Sequence, residues 1–124
     1  MTDRPIPSDP HDGPRALAHD EWPLLDRLVS DVFRPEMFHD YPQLFNEANR
    51  SNLRVIRNGD HLATHVGIVV RPATLLGCTV TVASMGAVAT AKEARGRGWG
   101  SACVQDAFDQ AAAQGAHLMY ISGG

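Results

Sequence analysis

Cysteine is scarce in this sequence: its 124 residues contain two, Cys78 and Cys103, in neither a C-x-x-C nor a metal-ligand spacing. That scarcity excludes a disulfide scaffold and a cysteine-built metal centre, and it predicts two reduced, buried thiols in a reducing compartment. Long apolar runs are lacking as well. No stretch approaches the roughly 20 residues of a membrane span, and the polar, proline-bearing segment 1–15 has no apolar run of the signal-peptide kind. The expectation is a cytoplasmic protein with no membrane partner. Positive charge is short too: the net charge is −3 and the pI about 6.0, which offers no basic footprint for nucleic acid. Lysine is represented by Lys92 alone, so the basic residues are otherwise arginines, which suit forked contacts with phosphate or carboxylate. A GC-rich coding habit produces the same bias.

The remaining composition is ordinary, at 44% hydrophobic and 20% charged, and the length suits one self-sufficient domain. Residues 1–13 read as a flexible leader and 14–124 as the domain. Residues 14–18 suit a short strand, followed by Asp20 as N-cap of a helix that buries Leu24, Leu25, Leu28, Val29, Val32 and Phe33. Pro35 ends that helix and Pro42 opens a second one carrying Leu44, Phe45 and Ala48. Asn58-Gly59 predicts a tight hairpin between strands 53–57 and 61–71, the second placing Leu62, Thr64, Val66, Ile68 and Val70 on one face. A connection between Pro72 and Gly77 leads to a strand over 79–90, where Gly86 marks a bulge or a close approach to the backbone. A helix starting at Trp99 or Gly100 carries the stripe Cys103, Val104, Ala107, Phe108 and Ala111, with Gly115 at its C′ position, before a strand over 117–122. The fold class is α/β (α+β), with a mixed, mostly antiparallel sheet flanked by helices. The late helix crosses between two parallel strands, and a V-shaped opening separates the strand ending near Thr90 from the one starting near His117.

The most informative stretch is Ala94-Arg95-Gly96-Arg97-Gly98-Trp99-Gly100-Ser101, between a strand and an amphipathic helix. The first N–H groups of a helix have no intrahelical partner, and the helix dipole adds positive potential there. Glycines let a phosphate approach such a backbone without meeting a Cβ, and Arg95 and Arg97 offer charge-assisted hydrogen bonds. A P-loop is excluded because this turn has no lysine. A dinucleotide fingerprint is excluded because its third glycine is replaced by Ser101 and no acid stands near Tyr120. The pattern that remains is [Q/R]-x-x-G-x-[G/A], met by Arg95-Gly96-Arg97-Gly98-Trp99-Gly100.

In this order of elements, over roughly residues 52–124, the motif resembles the acetyl-coenzyme A motif of the GNAT N-acetyltransferases. The family often has proline where this chain has Ala91 or Lys92. The resemblance implies that the backbone of Val88, Ala89 and Thr90 pairs with the pantetheine arm and that Gly96, Arg97, Gly98, Trp99, Gly100 and Ser101, with Arg95, wrap the pyrophosphate. It also implies that the Val88 N–H faces the oxyanion. The implied activity is acetyl transfer from acetyl-CoA, as co-substrate, to a primary amine on a small molecule or peptide, with no metal. The alternative is a non-catalytic CoA-binding or regulatory module, or an inactive truncated domain. The family's general acid is commonly a tyrosine on the helix after the strand that here ends at Gly124, so the expected chain is C-terminally truncated relative to the fold.

Attack by an amine benefits from a base, because an alkylammonium is protonated at neutral pH. His65, His61 and Glu93 are the candidates, with His65 foremost. The two histidines share a face of one strand about 13 Å apart, too far for a common metal. Trp22, Phe38 and Tyr41 suit either an acceptor wall or the core, and Cys103 reads as a packing residue. A final strand with an open edge makes a homodimer the expected assembly.

Overall fold

Five strands in the simple spatial order β1-β2-β3-β4-β5 organise the computed structural model, which describes residues 11–121. They are β1 (Asp12–Ala16), β2 (Leu53–Asn58), β3 (His61–Leu75), β4 (Cys78–Thr90) and β5 (Leu118–Ile121). The first four pair antiparallel, and β5 joins β4 in parallel. Helices α1 (Trp22–Val32) and α2 (Met37–Asp40) precede β2, and α3 (Trp99–Ala113) crosses between the two parallel strands. This is the mixed, mostly antiparallel α/β sheet that the sequence predicts. The last described pair of β4 and β5 is Met85 with Ile121. The expected opening beyond it would fall opposite residues 122–124, outside the described residues, as does most of the expected leader, 1–10. Asp12 and Gly13, placed in that leader by the sequence, belong to β1.

The β2–β3 loop is Gly59-Asp60, one residue later than the Asn58-Gly59 pair suggests, because Asn58 still pairs with His61. Gly59 has φ 68°, the left-handed region a two-residue loop requires. Between β3 and β4 no loose connection exists. The ladder continues to Leu75 and Cys78 and closes on Leu76-Gly77 with φ 51° and 80°. Pro72 sits inside β3 without penalty, since β2 pairs no further than Gly67 and β3 is an edge strand beyond that point. The resulting arm is exposed from Arg71 to Thr79. Cys78 is therefore exposed, not buried as expected, while Cys103 is wholly buried.

Asp20 does not cap α1. A 3₁₀ turn over His19–Glu21 precedes the helix, and Glu21 turns inward: its carboxylate accepts from the Ala18 N–H at 2.9 Å, from Arg15 at 2.9 and 2.8 Å, and from Arg57 at 3.1 Å. These donors hold its pKa down to about 2, the Arg15 bonds contributing most. Pro42 opens no helix. The Asn46 side chain bonds back to the Pro42 and Gln43 carbonyls and accepts from the Asn49 N–H, an arrangement that replaces a helical turn and starts a 3₁₀ segment over Glu47–Asn52.

The helices cover opposite faces of the sheet. On one side lie α1, through Leu25, Leu28 and Val29, and α2, through Met37. On the other side α3 packs with Trp99, Cys103, Ala107 and Ala111, small residues after the first, so its backbone lies close to the strands. The Cys103 Sγ reaches the Arg54 carbonyl at 3.5 Å, and Arg54 grips Asp106 at 2.5 Å. Burial pushes the Cys103 thiol up to about 12, so it is an inert packing residue. Phe108, expected in the buried stripe, is 40% exposed. Gly115 ends the helix as expected: at φ 80° its N–H bonds the Ala112 carbonyl and that of Ala116 bonds Ala111. Among the described residues no helix is long and apolar enough to cross a membrane.

Candidate functional site

The β3–β4 ladder is interrupted once. His65 pairs with Ala89 and Gly67 with Gly86, so Val66 alone faces both Ala87 and Val88. The sequence places this bulge at Gly86; it is centred one residue later, on Ala87, which has φ 52°. An alanine with positive φ costs energy, and one side chain holds it in place. The ring of His65 is fully buried, and its Nδ1 donates to the Ala87 carbonyl at 2.8 Å. Phe45 stacks 5.8 Å away, the last ring of a series that runs from Trp22 through Phe38. A Cβ on Gly67 would come within 3.1 Å of the imidazole. A side chain at this position would crowd both that ring and the Leu44 methyl, a constraint invisible in the sequence because it depends on residues outside the immediate neighbourhood of Gly67.

This placement corrects the role expected of His65. Burial pushes its pKa down to about 4, and its Nε2 is buried without a partner, so it is neutral and enclosed at neutral pH rather than a proton acceptor for an incoming amine. What its ring does in the structure is hold the Ala87 carbonyl. A pH experiment follows. Above 6.5 the His65 contribution to stability is complete; below 6.5 the unfolded chain takes up a proton that the folded ring refuses, until about pH 4. The wild type should lose roughly 3 kcal/mol of unfolding free energy across that window, read by urea titrations at several pH values. His65→Gln keeps an amide donor without a titrating group and should lack this slope; an equal slope in both chains would remove the assignment. The other candidate bases lie elsewhere: His61 Nδ1 is 3.3 Å from Asp60 and its Nε2 is 3.6 Å from Glu93, on the opposite end of β3 from the arm.

Displaced by the bulge, Val88 is 41% exposed, while Ala89 is buried and Thr90 half-buried. After β4 the chain makes a 3₁₀ turn over Lys92–Ala94 and enters the glycine turn. Gly96 and Gly98 have φ 85° and 80°, with nothing within 4 Å of where a Cβ would stand. The first bond of α3 runs from the Ala102 N–H to the Gly98 carbonyl at 3.1 Å, leaving the N–H groups of Trp99, Gly100 and Ser101 with no carbonyl a turn behind them. Arg95 and Ser101 are exposed. Trp99 is different: it is 4% exposed, stacks 5.0 Å from His11, and carries Arg97 over its face at 5.2 Å. Its buried side chain anchors the turn.

Two hollows are walled by β4 residues on either side of Val88 in sequence, Gly86 and Thr90. One, of about 230 Å³, lies between Thr90 and the turn, walled by Arg95, Gly96, Gly98, Gly100 and Ser101. The other, of about 350 Å³, is walled by Tyr41 and Leu44, by Arg71 of β3, by Ser84 and Gly86 of β4 and by Tyr120 of β5. Of the three aromatic residues singled out in the sequence, Tyr41 lines this hollow, whereas Trp22 and Phe38 do not and pack edge to face at 5.6 Å. The sequence did not single out Arg71, Ser84 or Tyr120; only the strand register brings them together.

The family model described as an acetyltransferase (GNAT) domain matches residues 14–123. No curated protein gives a significant match. Among solved structures, a transcriptional regulator from Bacillus halodurans C-125 superposes with a TM-score of 0.68 at 18% identity, over 89% of this chain and 80% of that one. A glucosamine-6-phosphate N-acetyltransferase from Arabidopsis thaliana gives 0.66 at 14%, over 89% and 80%. An aminoglycoside N-acetyltransferase in complex with CoA gives 0.69 at 12%, over 96% and 81%. At these identities the superpositions establish the fold.

Proposed function

This chain belongs to the GNAT acetyltransferase family, and from that premise we propose that it moves the acetyl group of acetyl-CoA onto a primary amine at Val88. The carrying observation is the position of that residue, exposed on a bulge between a glycine-lined hollow and a mixed polar and aromatic one. The glycine hollow suits a pyrophosphate: the first turn of α3, whose N–H groups have no carbonyl a turn behind them, lines it, its glycines present no Cβ, and Arg95 supplies positive charge. In this reading Val88, Ala89 and Thr90 offer their backbone to the extended arm of the coenzyme, and the second hollow receives the acceptor. The Val88 N–H stabilises charge on the carbonyl oxygen. The neutral amine nitrogen bonds the acetyl carbon, the carbon–sulfur bond breaks, and the nitrogen gives up a proton while the sulfur takes one up, so that the coenzyme departs as its thiol. His65 contributes by fixing the Ala87 carbonyl, which turns the next residue outward.

Calorimetry with CoA, followed by thiol release from acetyl-CoA over a panel of amines, tests this. Binding together with amine-dependent thiol release is expected. Binding without release on any amine would favour a non-catalytic CoA-binding module, and absence of binding would remove the cofactor site.

A further inference from the structure

We infer that the acceptor is an amine that also carries an anionic group, a carboxylate or a phosphate, and that Arg71 is the residue that selects it. This rests on the acetyl-transfer reading for the identity of the second hollow, but it is carried by the charges there. Most arginines described in this chain are spent on internal carboxylates: Arg15 and Arg57 on Glu21, Arg34 on Asp40, Arg50 on Glu47 and Arg54 on Asp106. Arg71 has no carboxylate partner among the described residues, although the chain as a whole is acidic. It projects from the exposed arm of β3 into the hollow of about 350 Å³.

Among the described residues lining that hollow, Arg71 carries the only charge, and the other polar groups are Tyr41, Gln43, Ser84 and Tyr120. None of these described lining residues is an acid that could receive a second ammonium. Asp40, next to Tyr41 in sequence, is already paired with Arg34, whose guanidinium lies 6.0 Å over the Tyr41 ring. A polycation would therefore meet an unpaired guanidinium, whereas an anion would meet a planar fork suited to its oxygens. Register fixes the spacing. Gly67 pairs with Gly86 beside the bulge, and Arg71 lies four residues further along the same strand, about 13 Å away. The arginine side chain spans part of that distance, so the amine and the anion of the acceptor stand several bonds apart.

Four probes test the assignment on the full chain saturated with CoA: glycyl-phenylalanine against its C-terminal amide, and 6-aminohexyl phosphate against 6-aminohexanol. By calorimetry, at least one anionic probe should bind about ten-fold or more tightly than its neutral twin, the size of a charge-assisted hydrogen bond. Which pair discriminates tells carboxylate from phosphate. Arg71→Ala should bring that ratio close to one, and Arg71→Lys should retain part of it. The inference is overturned if no anionic probe binds, if twins bind equally, or if the ratio survives Arg71→Ala. Thiol release from acetyl-CoA with the same probes separates the two readings. Charge discrimination without release would count against acetyl transfer and leave the Arg71 assignment standing. Release that is equally fast with charged and neutral amines would do the reverse.

Discussion

A chain carrying Gly98→Glu is expected to lose coenzyme A binding by at least about 100-fold, to the limit of calorimetric detection, while keeping its fold. Two costs add. Gly98 has φ 80°, where an L-residue is disfavoured by about 1–2 kcal/mol. The carboxylate would also occupy the hollow where the helix dipole and unpaired N–H groups favour an anion, and it would compete for them. Crowding is not among the causes, because nothing lies within 4 Å of a Cβ at this position. Gly98→Ala therefore isolates the backbone term. It should cost roughly 1 kcal/mol of stability and weaken binding by no more than about ten-fold. Equal heats for wild type and the glutamate variant, with matching circular dichroism, would remove the site.

Glu21→Ala should produce the largest loss of stability, roughly 2–4 kcal/mol in urea unfolding at pH 7. The carboxylate is buried and answers Arg15, Arg57 and the Ala18 N–H, so its removal leaves two guanidiniums facing one another beside a bare amide. Both arginines retain access to water, which keeps the cost below that of a fully enclosed pair. Acid distinguishes this group from His65. The Glu21 carboxyl titrates near 2 in the fold, so its contribution is complete above about 4.5 and is lost as pH falls toward 2. The alanine variant should lack that lower portion of the acid slope and keep the portion between 6.5 and 4 that belongs to the imidazole. A loss under about 0.5 kcal/mol would show that the triad is solvated and contributes little.

The elements whose signal is local were readable in the chain itself. The helical stripe from Cys103 to Ala111, the glycine at its C′ end and the crossover to a parallel strand all follow from spacing and from backbone preferences. What resisted reading depends on partners distant in sequence. Asp20 has the chemistry of a cap, but Glu21 found two guanidiniums, and a buried charge pair outweighs a cap. Pro72 suggested a break because its edge position is set by where β2 stops, a property of another segment. His65 looked like a base because its enclosure involves Phe45, a side chain outside its own strand. The glycine turn was legible because it needs little beyond glycines and a helix start, whereas the walls of the larger hollow exist only after four separate segments have registered with one another.

The run of Cys103, Ala107 and Ala111 beneath α3 has a consequence for reach. A helix seated on thiol and methyl groups rides low on the sheet, and its first turn rides with it: a Cβ on Gly100 would stand 3.3 Å from the Thr90 hydroxyl. Under the acetyl-transfer proposal, residues that touch no ligand would thereby act as a ruler, setting one fixed span between the diphosphate end of a long, flexible molecule and the carbon where its cargo is handed over.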